Sequence, residues 1–240
     1  MEELEDKIWF PNYLRQQQTE YIGWLVCVFK LYEPIAAKIN EAASKKGNSI
    51  KDVGSGSGGP WLSLSKLPIF QKTKIKLTDK FPQPSGIYPP NITYETVSFN
   101  PLIEEFSNNE LLTFFNAFHH FSDIEKQEII GRALAQNNSI FIAEILSPSF
   151  IEYFKILFTT TIVQYILAPF VKPFRLSRLF FTWIIPLNIF TVTYDGLISV
   201  YKCRKNRHME SFCKSLPFKN GYDAGKTSSL FGKVYYMHIW

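Results

Sequence analysis

Ile50-Lys51-Asp52-Val53-Gly54-Ser55-Gly56-Ser57-Gly58-Gly59-Pro60 is the stretch on which the fold turns. Short apolar positions lead into an acid, and a glycine run follows. Glycine has no Cβ and tolerates positive φ, so a strand can turn back here while its backbone approaches a ligand closely. Pro60-Trp61 suits a helix start, because the N–H that proline lacks is not needed in a first turn. A helix placed there would aim its free amide groups at the ligand, as nucleotide-binding loops do.

Two spacings compete for this loop. Gly54, Gly56 and Gly59 satisfy G-x-G-x-x-G, the dinucleotide pattern, whereas Asp52, Gly54, Gly56 and Gly58 satisfy acid-x-G-x-G-x-G. Asp52 decides between them, since beside a bound pyrophosphate its charge would be repelled. Downstream, Lys74-Ile75-Lys76-Leu77-Thr78-Asp79 alternates like a second strand and ends in an acid. Asp79 lies at the distance from the glycines where an acid accepts from ribose hydroxyls; otherwise it simply opens the turn Asp79-Lys80-Phe81-Pro82.

A third strand is expected over 92–97, followed by Ser98-Phe99-Asn100-Pro101. Residues 111–121 read as a fourth, buried strand leaving toward a loop, with Asn116 at its end and His119-His120-Phe121 beyond. Open α/β sheets place ligand-contacting residues at such strand ends. A helix over 123–136 opens with the capping-box pattern Ser122-Asp123-Ile124-Glu125, and 139–145 supplies a fifth strand. Strands alternating with helices point to a mostly parallel sheet.

The order of these motifs over residues 50–146 resembles the class I methyltransferases that use S-adenosyl-L-methionine (SAM). The resemblance implies an α/β fold, a Rossmann-like and mostly parallel seven-stranded sheet with helices on both faces. It also implies a C-terminal antiparallel hairpin, for which 221–228 and 233–240 are available. SAM is then the expected cofactor. Asp52, Gly54, Ser55, Gly56 and Gly58 would form its loop, with Asp79 on the ribose and Asn116 at the end of the fourth strand. Where the family commonly carries an acid for the adenine amino group, this chain has Ser98. An N-terminal helix often closes over the cofactor in such enzymes, so Arg15 either meets the SAM carboxylate or is a solvated arginine.

Four segments follow: N-terminal helices (1–48), a SAM-binding core (49–147), a helical insertion (148–193), and a last helix with the terminal hairpin (194–240). Tyr21, Trp24, Leu25, Val28, Leu31, Tyr32 and Ile35 recur at helical spacing within the first. The insertion is the least standard part. Its uncharged run 156–171 spans 16 residues against the ~20 a membrane crossing needs, and the next run is broken by Pro186 and Asn188. Two helices forming an apolar lid over the acceptor site are expected. A dimer interface is the second reading and shallow membrane contact, with Lys172, Arg175 and Arg178 on its border, the third. Asp195 reads first as the cap of a helix beginning near Asp195-Gly196 and second as a pocket residue.

With 240 residues, 46% of them hydrophobic, the chain can bury a sizeable core. Cys27, Cys203 and Cys213 are few and far apart, so neither a disulfide framework nor a zinc site is expected. The acidic start Met1-Glu2-Glu3-Leu4-Glu5-Asp6 lacks the pattern of a signal peptide, and a reducing, cytoplasmic location is expected. Residues 172–233 hold eleven Lys/Arg against three Asp/Glu, a basic third that is either a solvated face or faces an anionic partner.

Methyl transfer from SAM needs an acceptor held ~3–3.5 Å from the reacting carbon, and a base only where a proton must leave. His119, and less so His120, could accept that proton near a pKa of ~6.5; otherwise both are structural. No metal is expected, since no Cys, Asp or Glu accompanies them at ligand spacing. The expected function is methylation of a small, apolar or aromatic acceptor. Methylation of lipid or RNA through the basic third, or SAM binding without catalysis, are the alternatives, and an NAD-dependent oxidoreductase ranks last.

Overall fold

The structure is a computed structural model that describes residues 2–84, 86, 88–147, 149–205, 209–217 and 221–240. Two helices lead in, α1 (Asn12–Val28) and α2 (Ala36–Ser44). Strand β1 (Ser49–Val53), the single turn α3 (Trp61–Leu64), β2 (Lys74–Thr78) and β3 (Ile92–Tyr94) follow. Then come β4 (Leu111–Phe115), α4 (Asp123–Ala135) and β5 (Ser139–Glu144). The insertion begins with α5 (Phe150–Phe158), which runs through a π-helical turn (Thr159–Val163) into α6 (Gln164–Leu167). After α7 (Leu176–Leu179) and a second π turn (Phe180–Ile184) come α8 (Leu187–Lys205) and α9 (Met209–Lys214). Strands β6 (Tyr222–Ser229) and β7 (Gly232–Ile239) end the chain.

Among the described residues one seven-stranded sheet forms, in the order β3-β2-β1-β4-β5-β7-β6. β1 to β5 pair in parallel, and β7 runs antiparallel to both β5 and β6. The chain reverses its direction of travel across the sheet between β1 and β4, and ligands of open α/β sheets bind beyond the strand ends at such a point.

The central strands LLTFF and SIFIAE are buried throughout, as expected for parallel strands covered on both faces. Successive residues divide between two cores because strand side chains alternate. Leu111, Phe115 and Phe141 pack with Ile35, Ile39 and Ala43 on one face. Leu112, Phe114 and Ile140 pack with Ile129, Ile130 and Phe212 on the other.

Several boundaries differ from the sequence reading. The third strand ends at Tyr94 rather than residue 97, although the Glu95 amide still donates to Leu77 at 2.9 Å. The fourth ends at Phe115, because Asn116 takes φ 51° and breaks the extended backbone. The helix expected after the glycine loop is only the four residues of α3, with Pro60 as its N-cap residue. The helix expected from Asp195 starts at Leu187, directly after Pro186. The capping box of α4 forms as expected: Ser122 Oγ accepts from the Glu125 amide and Glu125 Oε2 from the Ser122 amide at 2.7 Å.

Candidate functional site

The glycine loop leaves β1 at its C-terminal end. Gly54 has φ 74° and an added Cβ would lie 3.0 Å from that of Ala117, so only glycine fits there. Asp52 anchors the loop from beneath. One carboxylate oxygen accepts from Thr113 Oγ1 at 2.6 Å and the other from Ser55 Oγ at 2.7 Å. Burial pushes its carboxyl up to about 7, against the pull of those donors. Asp52 therefore ties β1, β4 and the loop together and is absent from the cavity wall, where the sequence reading had it beside the cofactor.

Asp79 ends β2 and closes the loop from the other side. Its Oδ2 accepts from the Gly56 amide at 2.7 Å and its Oδ1 from the Phe81 amide at 2.8 Å. Of the two roles suggested by the sequence, the turn is the one formed here; Asp79 also holds the glycine loop, and like Asp52 it does not line the cavity. Ser98 lies exposed after β3 and donates to the Lys80 carbonyl at 2.7 Å. It does not line the cavity.

That cavity, of about 790 Å³, opens beyond the C-terminal ends of β1 and β4. Gly54, Ser55, Gly56 and Asn116 form a polar part of its wall. Asn116 is held in the left-handed region by its amide bond to the Ala143 carbonyl, at 2.8 Å. Its Oδ1 is buried and has no hydrogen-bond partner among the described residues. Apolar wall comes from Leu25 of α1, Phe29 just after it, and Ile156, Phe158 and Val163 of the insertion.

The two histidines separate. His119 turns away from the cavity, with Nδ1 3.0 Å from Glu144 Oε2 and its backbone amide on Glu144 Oε1 at 3.3 Å. His120 does reach the cavity wall. Its Nδ1 lies 3.0 Å from Asp6 Oδ2 and its Nε2 3.1 Å from Glu3 Oε2. Burial alone would lower its pKa, but Glu3, Asp6 and Glu5 outweigh that and raise it to about 10. The carboxylates around His120 favour its protonated form, which speaks against the general-base role the sequence suggested for it.

The acids that hold it were missed as site residues. The N-terminal segment folds back across the end of β4, and Asp195 fastens it by accepting from the Leu4 and Glu5 amides at 2.6 and 3.1 Å. Asp195 lies inside α8 and lines the cavity, so it is not a helix cap. Lys202 adds a second cation 2.9 Å from Glu3. Arg15 serves the same segment: its Nε and Nη2 donate to the Glu5 and Lys7 carbonyls, its Nη1 to Asn12, and it stacks 4.0 Å from the Phe81 ring centre. The clue in the sequence was four acids among the first six residues of a chain with net charge +5.

Contrary to expectation, acids and a thiol do surround the histidines, as Glu3–His119–His120 and His119–Glu144–Cys203. The first is neutralised by Lys202, and burial holds the Cys203 thiol well above its usual range, in the protonated form that metals bind poorly.

The fold as a whole resembles that of solved structures. Human N-acetylserotonin methyltransferase in complex with SAM aligns over 97% of this chain at 11% identity and a TM-score of 0.55. This chain has the class I SAM-dependent methyltransferase fold. It spans 57% of the length of the human enzyme. Magnesium protoporphyrin IX methyltransferase from Synechocystis PCC 6803, with bound SAH, aligns over 90% of this chain and 84% of its own, at 12% identity and a TM-score of 0.45. No family model matches the sequence, and no curated protein matches it. Within the methyltransferase fold, the glycine loop and Asn116 flank the point where the sheet order reverses.

Proposed function

We propose that this protein is a SAM-dependent methyltransferase acting on a small apolar or aromatic acceptor. The observation that carries the proposal is one cavity lined both by the glycine loop with Asn116 and by the apolar side chains Leu25, Phe29, Phe158 and Val163. Its size lies within the ~300–1,000 Å³ of small-molecule sites.

The polar part of the wall fits the cofactor. A buried acceptor such as Asn116 Oδ1 is costly without a donor, and a ligand would supply one. Asp79, which does not itself line the cavity, holds the glycine loop in place through the Gly56 amide. SAM, when bound, supplies an activated methyl group on sulfur. The protein then has to align an acceptor and keep water out. Phe29, Phe158 and Val163 do so by packing, which favours an acceptor with an apolar body. His120, held as a cation by the N-terminal acids, secures the wall rather than moving a proton.

Calorimetric titration with S-adenosylhomocysteine (SAH) and separately NADH tests the cofactor. SAH binds and NADH does not, and Asn116→Gly, which tolerates the same φ, weakens SAH about 3- to 10-fold, the worth of ~1 kcal/mol for one hydrogen bond. Preference for NADH, or no SAH binding, overturns the reading. Methyl-labelled SAM incubated with cell extract then tests the acceptor class, which fails if label enters only macromolecules.

A further inference from the structure

The outer face of the insertion is apolar and largely unburied. Phe154, Ile166, Leu176, Ile184 and Phe190 are between 59% and 74% exposed. No charged residue occurs between Lys155 and Lys172, or from Leu179 to Tyr194. The two segments pack side by side: the Trp183 indole donates to the Tyr165 carbonyl at 2.9 Å, and Thr160 bonds Thr193 at 2.7 Å. Their outward side chains therefore form one patch. Tyr13, 5.4 Å from Phe181 between ring centres, continues it toward exposed Ile8 and Trp9. Five such side chains present on the order of 500 Å², and this patch has more, whereas the largest patch on a monomer is typically ~300–600 Å².

We propose that this face seats the protein on a lipid bilayer, with the insertion lying in the interface. By length and composition Phe150–Phe170 could cross a membrane, and little of it is buried within the fold. Both its ends, however, are fastened to the same globular body. Lys155 donates to the Phe231 carbonyl at 2.9 Å near one end, and just past the other Val171 is buried against Tyr21 and Val192. A helix tied at both ends to one side cannot span, so it lies flat. The helix pair from Leu176 to Cys203 bends by 80° at its break, which likewise keeps it on one side.

Composition favours lipid over a second protein. Specific protein interfaces carry hydrogen-bonding groups and a polar rim. Here the patch carries exposed Trp9, Tyr13, Tyr165 and Trp183, the residue types that settle at a membrane–water boundary. Exposed Lys172 stands at the turn between the segments, positioned for anionic headgroups. Arg175 and Arg178 do not contribute, because both are bound to Glu20 of α1. The inference stands on this surface and does not depend on methyl transfer. Together the two readings bring an acceptor from the lipid phase, since Phe158 and Val163 of the same helix line the cavity.

Flotation of the full chain with phosphatidylcholine vesicles, alone or with 30% phosphatidylglycerol, tests it. The protein floats with both, more with the anionic set at low salt. Phe154→Asp/Ile166→Asp/Ile184→Asp lowers the partition coefficient by at least ~100-fold while its circular-dichroism melt stays cooperative. Should that variant misfold, quenching of wild-type tryptophan emission by brominated phosphatidylcholine, reduced in Trp9→Phe/Trp183→Phe, serves instead. Wild-type protein that stays at the bottom of both gradients overturns the proposal, as does a folded triple variant that floats normally. A dimer by light scattering that the triple variant dissociates, without flotation, assigns the face to a second copy.

Discussion

His120→Gln removes the cation around which the N-terminal segment folds. In the wild type Glu3 and Asp6 each lie about 3 Å from an imidazole nitrogen. His120 titrates near 10 in the folded state, against ~6.5 unfolded. Between those values the folded protein holds a proton the unfolded chain has released, so stability falls as pH rises through this window. Below pH ~6.5 the full contribution is present. Breaking a buried ion pair costs ~3–5 kcal/mol, and Lys202 remains beside Glu3, so the expected loss is about 2–4 kcal/mol at pH 6. Glu5, raised to about 8 chiefly by burial and partly held down by His120, contributes in the same direction over its own lower window. Urea denaturation at pH 6, 8 and 10 reads the effect. The gap between wild type and His120→Gln should be widest at pH 6 and nearly closed at pH 10. A gap independent of pH, or below ~0.5 kcal/mol at pH 6, refutes the assignment of His120 as a folded-state cation.

Gly54→Ala combines a strained φ with a contact on Ala117, and is expected to cost about 1–3 kcal/mol in thermal or urea unfolding and to weaken SAH binding with it. Glu20→Gln leaves Arg175 and buried Arg178 without their carboxylate; a loss of about 3–5 kcal/mol is expected, with faster proteolysis within 171–186 as the insertion loosens from α1.

How much of this was legible from the chain depended on the range of the forces involved. β1, β2, β4, β5 and the cap of α4 rest on local patterns, and each formed where its pattern lay, to within a few residues. The glycine loop was legible for the same reason, since φ at Gly54 and Gly56 is a property of the residue itself. The site was less so. Asp52, Asp79, Arg15 and the histidines were all recognisable as chemistry-bearing groups, but what each does depends on partners distant in sequence, as Asp6 is from His120 by 114 residues. Spacing cannot show that Thr113 and Ser55 occupy both oxygens of Asp52, or that Glu3 and Asp6 enclose His120.

The N-terminal acids make that point physically. Along the sequence they are an ordinary charged start, yet Glu3 is only 1% exposed. A carboxylate so buried is tolerated only with cations nearby, and those come from the end of β4 and from α8. The same segment supplies Glu5 to the cavity wall and is fastened by Asp195, another wall residue. The cavity wall is therefore built in part by charge pairing from the N-terminal segment and in part by apolar side chains of the insertion. A polar cofactor and an apolar acceptor call for walls that differ in this way, and the fold builds them from opposite ends of the chain around one glycine loop.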